Sequence, residues 1–182
     1  MKQAFTVRDM AHIALFAALI AVCSWISIPA TVPFTLQTFA VFCSLCLLGG
    51  KKGFFAVLVY ILLGATGLPV FAGFRGGPGV LLGTTGGYIL GFLLQALLYG
   101  ISEPLFGHKA VRQIGSLVAG LFLCYAFGTA WFILLYTRSS GPVALGTALG
   151  WCVFPFILPD LAKLALAVIV SRRILKALGS KS

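Results

Sequence analysis

The stretch Ser116–Tyr136, SLVAGLFLCYAFGTAWFILLY, contains no charged residue and is long enough to cross a lipid bilayer as a helix. Such a crossing takes about 20 mainly apolar residues. The same character extends over all 182 residues, of which 60% are hydrophobic and only 9% are charged, and the mean hydropathy is +1.10. Because a soluble domain carries about 25% charged residues, the composition excludes a water-soluble fold and predicts an integral membrane protein.

Six apolar runs of this kind follow one another, separated by Gly, Pro and charged residues. They cover residues 11–28, 36–48, 54–66, 85–101, 116–136 and 144–170. Their unbroken apolar character differs from the alternating pattern of a membrane β-barrel. We therefore predict an all-α membrane protein with six transmembrane helices, in which residues 1–182 form a single domain. Pro29 and Pro33 predict a short loop over 28–35.

The basic residues indicate how the chain is oriented. Lys and Arg number 13 against 3 Asp and Glu, a formal net charge of +10. In a soluble protein this excess would suggest nucleic acid, but here the basic residues lie between apolar runs, and no nucleic-acid partner is expected. Six crossings place ten of them on the side of the termini: Lys2, Arg8, Lys51, Lys52, Lys109, Arg112, Arg172, Arg173, Lys176 and Lys181. Arg75 and Arg138 fall on the other side. Because cytoplasmic loops carry the Lys and Arg excess, both termini are predicted to be cytoplasmic.

One charged pair remains inside the membrane. Asp160 and Lys163 are three residues apart, so they share a helix face, and Lys163 precedes Arg172 by nine residues, or about 14 Å of helix. A charge at this depth costs at least about 2.5–3.5 kcal/mol, which favours a ligand or ion site. The alternative is a structural ion pair that fastens this helix to a neighbour. Pro155 and Pro159 free nearby carbonyl groups and predict a new helical segment from Asp160.

The segment 67–91, called here the glycine-rich segment, lies on the predicted outer side. Its nine glycines are Gly67, Gly73, Gly76, Gly77, Gly79, Gly83, Gly86, Gly87 and Gly91. Glycine lets the backbone approach a ligand closely, and the segment lacks the G-x-x-x-x-G-K-[ST] pattern of a phosphate loop. With Phe71, Phe74 and Arg75, it predicts a compact apolar lid, whereas a flexible connector between closely packed helices is the alternative.

Two small-residue pairs lie on the first helix, Ala14-x-x-x-Ala18 and Ala17-x-x-x-Ala21. Such spacing lets helices pack closely within lipid, either inside the chain or against a partner.

The remaining motifs argue against several kinds of chemistry. The five cysteines lie inside apolar runs and are interpreted as small apolar fillers: Cys23, Cys43, Cys46, Cys124 and Cys152. No metal site, cofactor or catalytic residue is predicted, because hydrolase motifs are absent and His12 and His108 lie near the cytoplasmic ends. The chain also lacks a nucleotide-binding motif, so it is not expected to hydrolyse ATP itself.

Four motifs in this order carry a resemblance over nearly the whole chain. They are VPFTLQT at Val32–Thr38, GLPVFAGF at Gly67–Phe74 with GGPG at Gly76–Gly79, GTTGGYILGF at Gly83–Phe92, and PDLAK at Pro159–Lys163. The chain resembles the biotin-specific substrate-binding (S) components of energy-coupling-factor (ECF) transporters, the BioY family. The resemblance implies a six-helix protein of the prokaryotic plasma membrane that captures biotin from outside. Its partners would be a transmembrane coupling subunit and two cytoplasmic ATPases, and it would not be an enzyme.

The resemblance also implies roles for residues. Ala14, Ala17, Ala18 and Ala21 match a motif that docks on the coupling subunit, and Asp160 and Lys163 match a membrane-embedded pair. For biotin, Asp160 would accept from the ureido N–H groups, while Lys163 would donate to the ureido carbonyl or balance Asp160. Arg75 would meet the carboxylate tail, the apolar ring would rest on Phe34, Phe71, Phe74 or Tyr88, and the backbone at Gly73, Gly76 and Gly77 would approach the ligand.

Three other functions remain open from the residues. One is a stand-alone secondary vitamin transporter or facilitator that works without ATP. The second is an intramembrane enzyme, which the missing nucleophile disfavours, and the third is a structural membrane subunit that binds no ligand.

Overall fold

The computed structural model describes residues 5–106 and 110–179. This part of the chain is helical apart from a two-stranded ribbon and connecting segments. The elements are α1 (Val7–Trp25), β1 (Ser27–Ile28), β2 (Phe34–Thr35), α2 (Gln37–Ala65), α3 (Pro78–Leu81), α4 (Gly86–Phe106), α5 (Ala110–Ser140), α6 (Leu145–Cys152) and α7 (Phe154–Ala177). Five stretches of the described residues are long and apolar enough to cross a membrane: Val7–Trp25, Gln37–Ala65, Gly86–Leu105, Val111–Ser140 and Leu145–Ala177.

Helix α2 reverses direction at Gly49. There the backbone has φ 78° and ψ 172°, a conformation that glycine adopts without strain. A Cβ added to Gly53 would lie 3.2 Å from the Cα of Leu45, whereas eight residues of continuous helix would span about 12 Å. Residues 50–65 therefore fold back along 37–48. The boundary expected between the second and third apolar runs lies at this turn.

The turn of α2 is held by two carboxylates from neighbouring helices. Asp9, in the first turn of α1, forms an ion pair with Lys52. Glu103, near the end of α4, accepts a hydrogen bond of 2.8 Å from the Gly50 N–H. The start of α1, the turn of α2 and the end of α4 therefore lie together at one end of the bundle.

Two boundaries differ from the sequence-based expectations near the first loop. Residues 28–35 were expected to form only a loop, but β1 and β2 pair antiparallel, with Ser27 opposite Thr35 and Ile28 opposite Phe34. Helix α1 accordingly ends at Trp25 rather than at Ile28. This ribbon carries β2 towards α7, where the charged pair lies.

The expected sixth helix is broken, although not where Pro159 predicted. The break lies at Val153, with φ −124° and ψ −58°, and α7 begins at Phe154 with Pro155 in its first turn. A proline is well tolerated there, because the first-turn N–H groups have no intrahelical partner. The prediction of a new segment from Asp160 is wrong, because Pro159 and Asp160 both lie inside α7.

Helices α4 and α5 extend beyond their predicted ends. Helix α4 continues through Pro104 to Phe106, and α5 covers Ala110–Ser140, which includes Arg112. Of the residues assigned to the loops and tails on this side, Lys2, His108, Lys109 and Lys181 lie outside the described residues.

Close helix contacts depend on glycines where α4 meets α5. A Cβ on Gly128 would lie 2.2 Å from the Tyr88 ring, and one on Gly91 would lie 2.7 Å from Cys124 Sγ. Small residues thus let the two backbones approach closely. This packing brings Tyr88 and Cys124 to the same interior space. All five cysteines are free and buried.

Candidate functional site

One cavity lies where β2, the start of α2, α4, α5 and α7 meet beneath the glycine-rich segment. The cavity is partly open, and its walls are mostly apolar with a few convergent polar groups, which is the usual pattern of a small-molecule site. Its apolar lining consists of Val32, Pro33, Phe71, Ala72, Val80, Tyr88, Ile89, Phe92, Leu121, Cys124, Cys152 and Phe156. Its polar lining consists of Thr35, Gln37, Thr38, Arg75, Thr85, Tyr125, Asp160 and Lys163.

The carboxylate of Asp160 is the centre of the polar part. Asp160 is 2% exposed, and its Oδ1 accepts hydrogen bonds from Lys163 Nζ at 2.8 Å and Thr38 Oγ1 at 2.9 Å. Its Oδ2 accepts a bond of 2.7 Å from Tyr125 Oη. Donors from α2, α5 and α7 thus converge on one buried carboxylate.

Lys163 connects this carboxylate to the ribbon. Besides Asp160, its Nζ donates to the Thr35 carbonyl at 2.7 Å and lies 4.2 Å from the centroid of the Phe34 ring. Phe34 in turn stacks on Phe156 of α7, with centroids 5.5 Å apart. The ammonium group therefore holds β2 against α7 and fixes the wall of the cavity.

The glycine-rich segment covers one side of the mouth. Phe71 and Arg75 form a backbone bridge, with N–O distances of 2.9 and 3.3 Å. The ring of Phe71 is buried against Tyr60, with centroids 5.5 Å apart. Arg75 is exposed and lines the cavity, so it places a basic side chain between the cavity and the surface of the protein.

The ten residues predicted to contact the ligand divide into two groups. Five line the cavity: Phe71, Arg75, Tyr88, Asp160 and Lys163. The other five do not: Phe34, Gly73, Phe74, Gly76 and Gly77. Phe34 lies behind the wall against Lys163. The ring of Phe74 is stacked on Trp25 outside the cavity, 5.1 Å between centroids.

The three glycines of the second group shape the backbone. Gly73 and Gly77 have φ of 70° and 93°, which L side chains rarely adopt. A Cβ on Gly76 would lie 2.2 Å from the Leu68 carbonyl oxygen. These glycines therefore set the backbone conformation of the glycine-rich segment, although they do not line the cavity themselves.

Five polar residues of the cavity escaped the sequence analysis: Thr35, Gln37, Thr38, Thr85 and Tyr125. The first three lie within the Val32–Thr38 motif and Thr85 lies within the Gly83–Phe92 motif, so the motifs themselves were a signal for them. Tyr125 offered none, because it lies in an uncharged apolar run in which aromatic residues are common.

The four alanines of α1 also divide. Ala14 and Ala18 are exposed on the outer face of the helix, whereas Ala17 and Ala21 are buried in the core. The buried pair is removed from the predicted docking surface, because its side chains pack inside the chain.

A multi-pass helical membrane protein that buries a satisfied charge pair in a cavity with an open mouth belongs to the class that binds small molecules within the bilayer. The chain belongs to the BioY family, whose family model matches residues 1–180. The resemblance indicated by the four motifs is thereby confirmed.

Relatives and a solved structure agree with this assignment. The "Biotin transporter BioY" of Thermotoga maritima is 43% identical over 170 residues, which cover 93% of this chain and 96% of the relative. The "Probable biotin transporter BioY" of Pyrococcus horikoshii is 40% identical, covering 92% and 96%. A crystal structure described as the S-component for biotin from an ECF-type ABC transporter has a TM-score of 0.81 and 27% identity, covering 95% of both chains.

Proposed function

We propose that this chain captures biotin outside the cell and delivers it for uptake as the substrate-binding component of an ECF-type transporter. The observation that carries the proposal is the Asp160 carboxylate, held by three donors at the wall of a mostly apolar cavity. The family, the names of the relatives and the matching biotin S-component support the ligand. Biotin is then cargo rather than cofactor, and the chain is a carrier rather than an enzyme.

Each part of biotin has a counterpart in the cavity. A ureido N–H donates to Asp160, a charge-assisted bond that is stronger than a neutral one, while Lys163 balances the carboxylate. The apolar ring rests against Phe71 and Tyr88. The carboxylate tail points to the mouth, where Arg75 supplies the opposite charge.

The chain acts as one domain with six crossings of the prokaryotic plasma membrane and both termini in the cytoplasm. The two halves of α2 count separately because of the reversal at Gly49, and α6 and α7 together form the last crossing. Lys51 and Lys52 lie at the end of the bundle where α1 begins, which agrees with the cytoplasmic excess of basic residues.

ATP hydrolysis comes from partners, namely a transmembrane coupling subunit and two cytoplasmic ATPases. Ala14 and Ala18 supply an exposed small-residue face on α1 for the coupling subunit. Close backbone approach is the usual basis of helix association in lipid.

Mass spectrometry of small molecules released from the purified chain tests the ligand. We expect biotin from protein produced in biotin-containing medium, and less of it per chain from a matched preparation of the Asp160→Ala variant. Uptake of labelled biotin by cells with and without the ATPase subunits tests the transport mode. Uptake that persists without the ATPases would instead favour a stand-alone transporter.

A further inference from the structure

We propose that the side-chain amide of Gln37 donates a hydrogen bond to the carbonyl oxygen of the bound ligand's ureido group. The inference rests on the proposed function, because it takes biotin as the ligand. It concerns a residue at the first turn of α2 to which the sequence assigned no role.

Lys163, the donor first expected for that carbonyl, is already engaged elsewhere. Its Nζ donates to Asp160 Oδ1 at 2.8 Å and to the Thr35 carbonyl at 2.7 Å, and it lies 4.2 Å from the centroid of the Phe34 ring. To reach the ligand, Lys163 would have to give up a contact that holds the ribbon or the carboxylate.

Asp160 retains room for one ligand donor. A carboxylate offers about four acceptor positions on its two oxygens. Lys163 and Thr38 occupy both positions on Oδ1, and Tyr125 occupies one on Oδ2. The remaining position on Oδ2 suits a ureido N–H. The ureido oxygen and that nitrogen are attached to the same carbon atom. The oxygen therefore also needs a hydrogen-bond donor in this part of the cavity.

Gln37 is a cavity-lining side chain with such a donor. It is 4% exposed, and its buried Nε2 has no hydrogen-bond partner among the described residues. A buried donor without a partner is costly, and because this one borders the cavity, a ligand bound there can supply the acceptor. Its backbone is fixed, because the Gln37 N–H donates to Thr35 Oγ1 at 3.3 Å. The adjacent Thr38 binds Asp160, which keeps Gln37 beside the carboxylate.

A matched control lies elsewhere in the chain. Gln95 is also a buried helical glutamine, 1% exposed, and neither atom of its amide has a partner in the described part of the chain. It does not line the cavity. A change that removes its amide therefore tests the general effect of replacing a buried glutamine.

The experiment is titration calorimetry of the full chain in detergent with biotin and with 2-iminobiotin. The second ligand has the same ring and tail but carries an N–H group where biotin has the carbonyl oxygen. We expect Gln37→Met to weaken biotin binding about ten-fold and to leave 2-iminobiotin binding unchanged or stronger. Gln37→Leu should behave alike and serves if the Met variant does not fold. Gln95→Met should leave both affinities unchanged.

Other outcomes overturn the proposal in distinguishable ways. If wild-type protein binds biotin and both folded Gln37 variants bind it equally well, the amide does not contact the ligand. If they lose affinity for both ligands alike, Gln37 accepts from an N–H that the two ligands share. If the folded wild-type chain binds no biotin, the proposed function fails, and the assignment to Gln37 fails with it.

Discussion

Asp160 and Lys163 show how a membrane interior accommodates charge at the scale of single residues. Both charged groups have further hydrogen-bond partners besides each other. Thr38 and Tyr125 also donate to the carboxylate, and the Thr35 carbonyl accepts from the ammonium group. Removing one partner of a buried pair is costly, since it leaves an uncompensated charge. The arrangement therefore holds several elements together, and the effect of a substitution on binding must be measured on folded protein.

The replacement of Asp160 by alanine tests the ligand role. Asp160→Ala should weaken biotin binding by about 1–3 kcal/mol, because the ligand donor then has no acceptor. Titration calorimetry on protein that elutes as a folded species provides the measurement. Asp9→Ala is the control, because Asp9 pairs with Lys52 at the other end of the bundle and should leave affinity unchanged. Equal affinity of wild type and Asp160→Ala would reduce the pair to a structural role.

At the scale of elements, α1 presents a different surface to the core than to its surroundings. Ala17 and Ala21 pack inside, and Ala14 and Ala18 face outward with exposed Leu15. At its end, Trp25 donates to the Pro69 carbonyl at 2.8 Å and stacks on Phe74. Helix α1 therefore contacts the glycine-rich segment at its end and carries the proposed docking residues, Ala14 and Ala18, on its outer face.

Bulky residues on the outer face of α1 should separate capture from transport. Ala14→Trp or Ala18→Trp should leave biotin binding intact and abolish ATP-driven uptake in cells that contain the coupling subunits, because close helix approach is blocked. Leu97→Trp, at an exposed position of α4, is the control and should preserve uptake. Loss of binding together with uptake would mean that the two alanines pack inside the protein.

The glycine-rich segment should become ordered when the ligand binds. Ordering costs roughly 1–2 kcal/mol per residue in backbone entropy, so ligand contacts must offset it. In hydrogen exchange, amides of residues 72–83 should gain protection on adding biotin, far more than those of 49–53. Equal protection of 72–83 with and without biotin would mean that this cover is preformed.

A pair of glycines tests the same segment by substitution. Gly77→Ala should speed biotin release, because Gly77 has φ 93° and an L residue there is strained. Gly79→Ala should not, since a Cβ at Gly79 meets nothing within 4 Å and its φ is not positive. Stopped-flow release of a fluorescent biotin conjugate measures both variants. Equal release rates would show that the turn at Gly77 does not control the mouth.

Sequence reasoning succeeded where one element's composition determines its structure. The apolar runs, the Gly49–Gly50 break and the buried Asp160–Lys163 pair all depend on local pattern. The ribbon at 27–35 and the contact of Tyr125 with Asp160 could not be predicted from local pattern. Each depends on chain segments that meet only in the folded bundle. Pro155, rather than Pro159, marks the break, because a proline in a first helical turn costs least.

In the whole molecule, the two ends of the helix bundle differ: one carries the basic turn of α2, and the other carries the mouth of the cavity. The turn at Lys51–Lys52 packs with the start of α1, while Arg75 lies at the cavity mouth. In the proposed orientation, which puts the basic end in the cytoplasm, the mouth opens to the outside. The proposed capture of ligand from outside requires this orientation.

Cysteine labelling tests this orientation. A membrane-impermeant maleimide added to intact cells should react with Arg138→Cys and not with Lys51→Cys, because these positions lie on opposite sides. Permeabilised cells provide the control, in which both should react. Labelling of both positions in intact cells would contradict six crossings.

Equilibrium titration of the purified chain with radiolabelled biotin in detergent tests biotin binding most directly. We expect saturable binding of one biotin per chain, which unlabelled biotin displaces and which is weaker in Asp160→Ala. Folded protein that gives no saturable signal with biotin would contradict the proposed function.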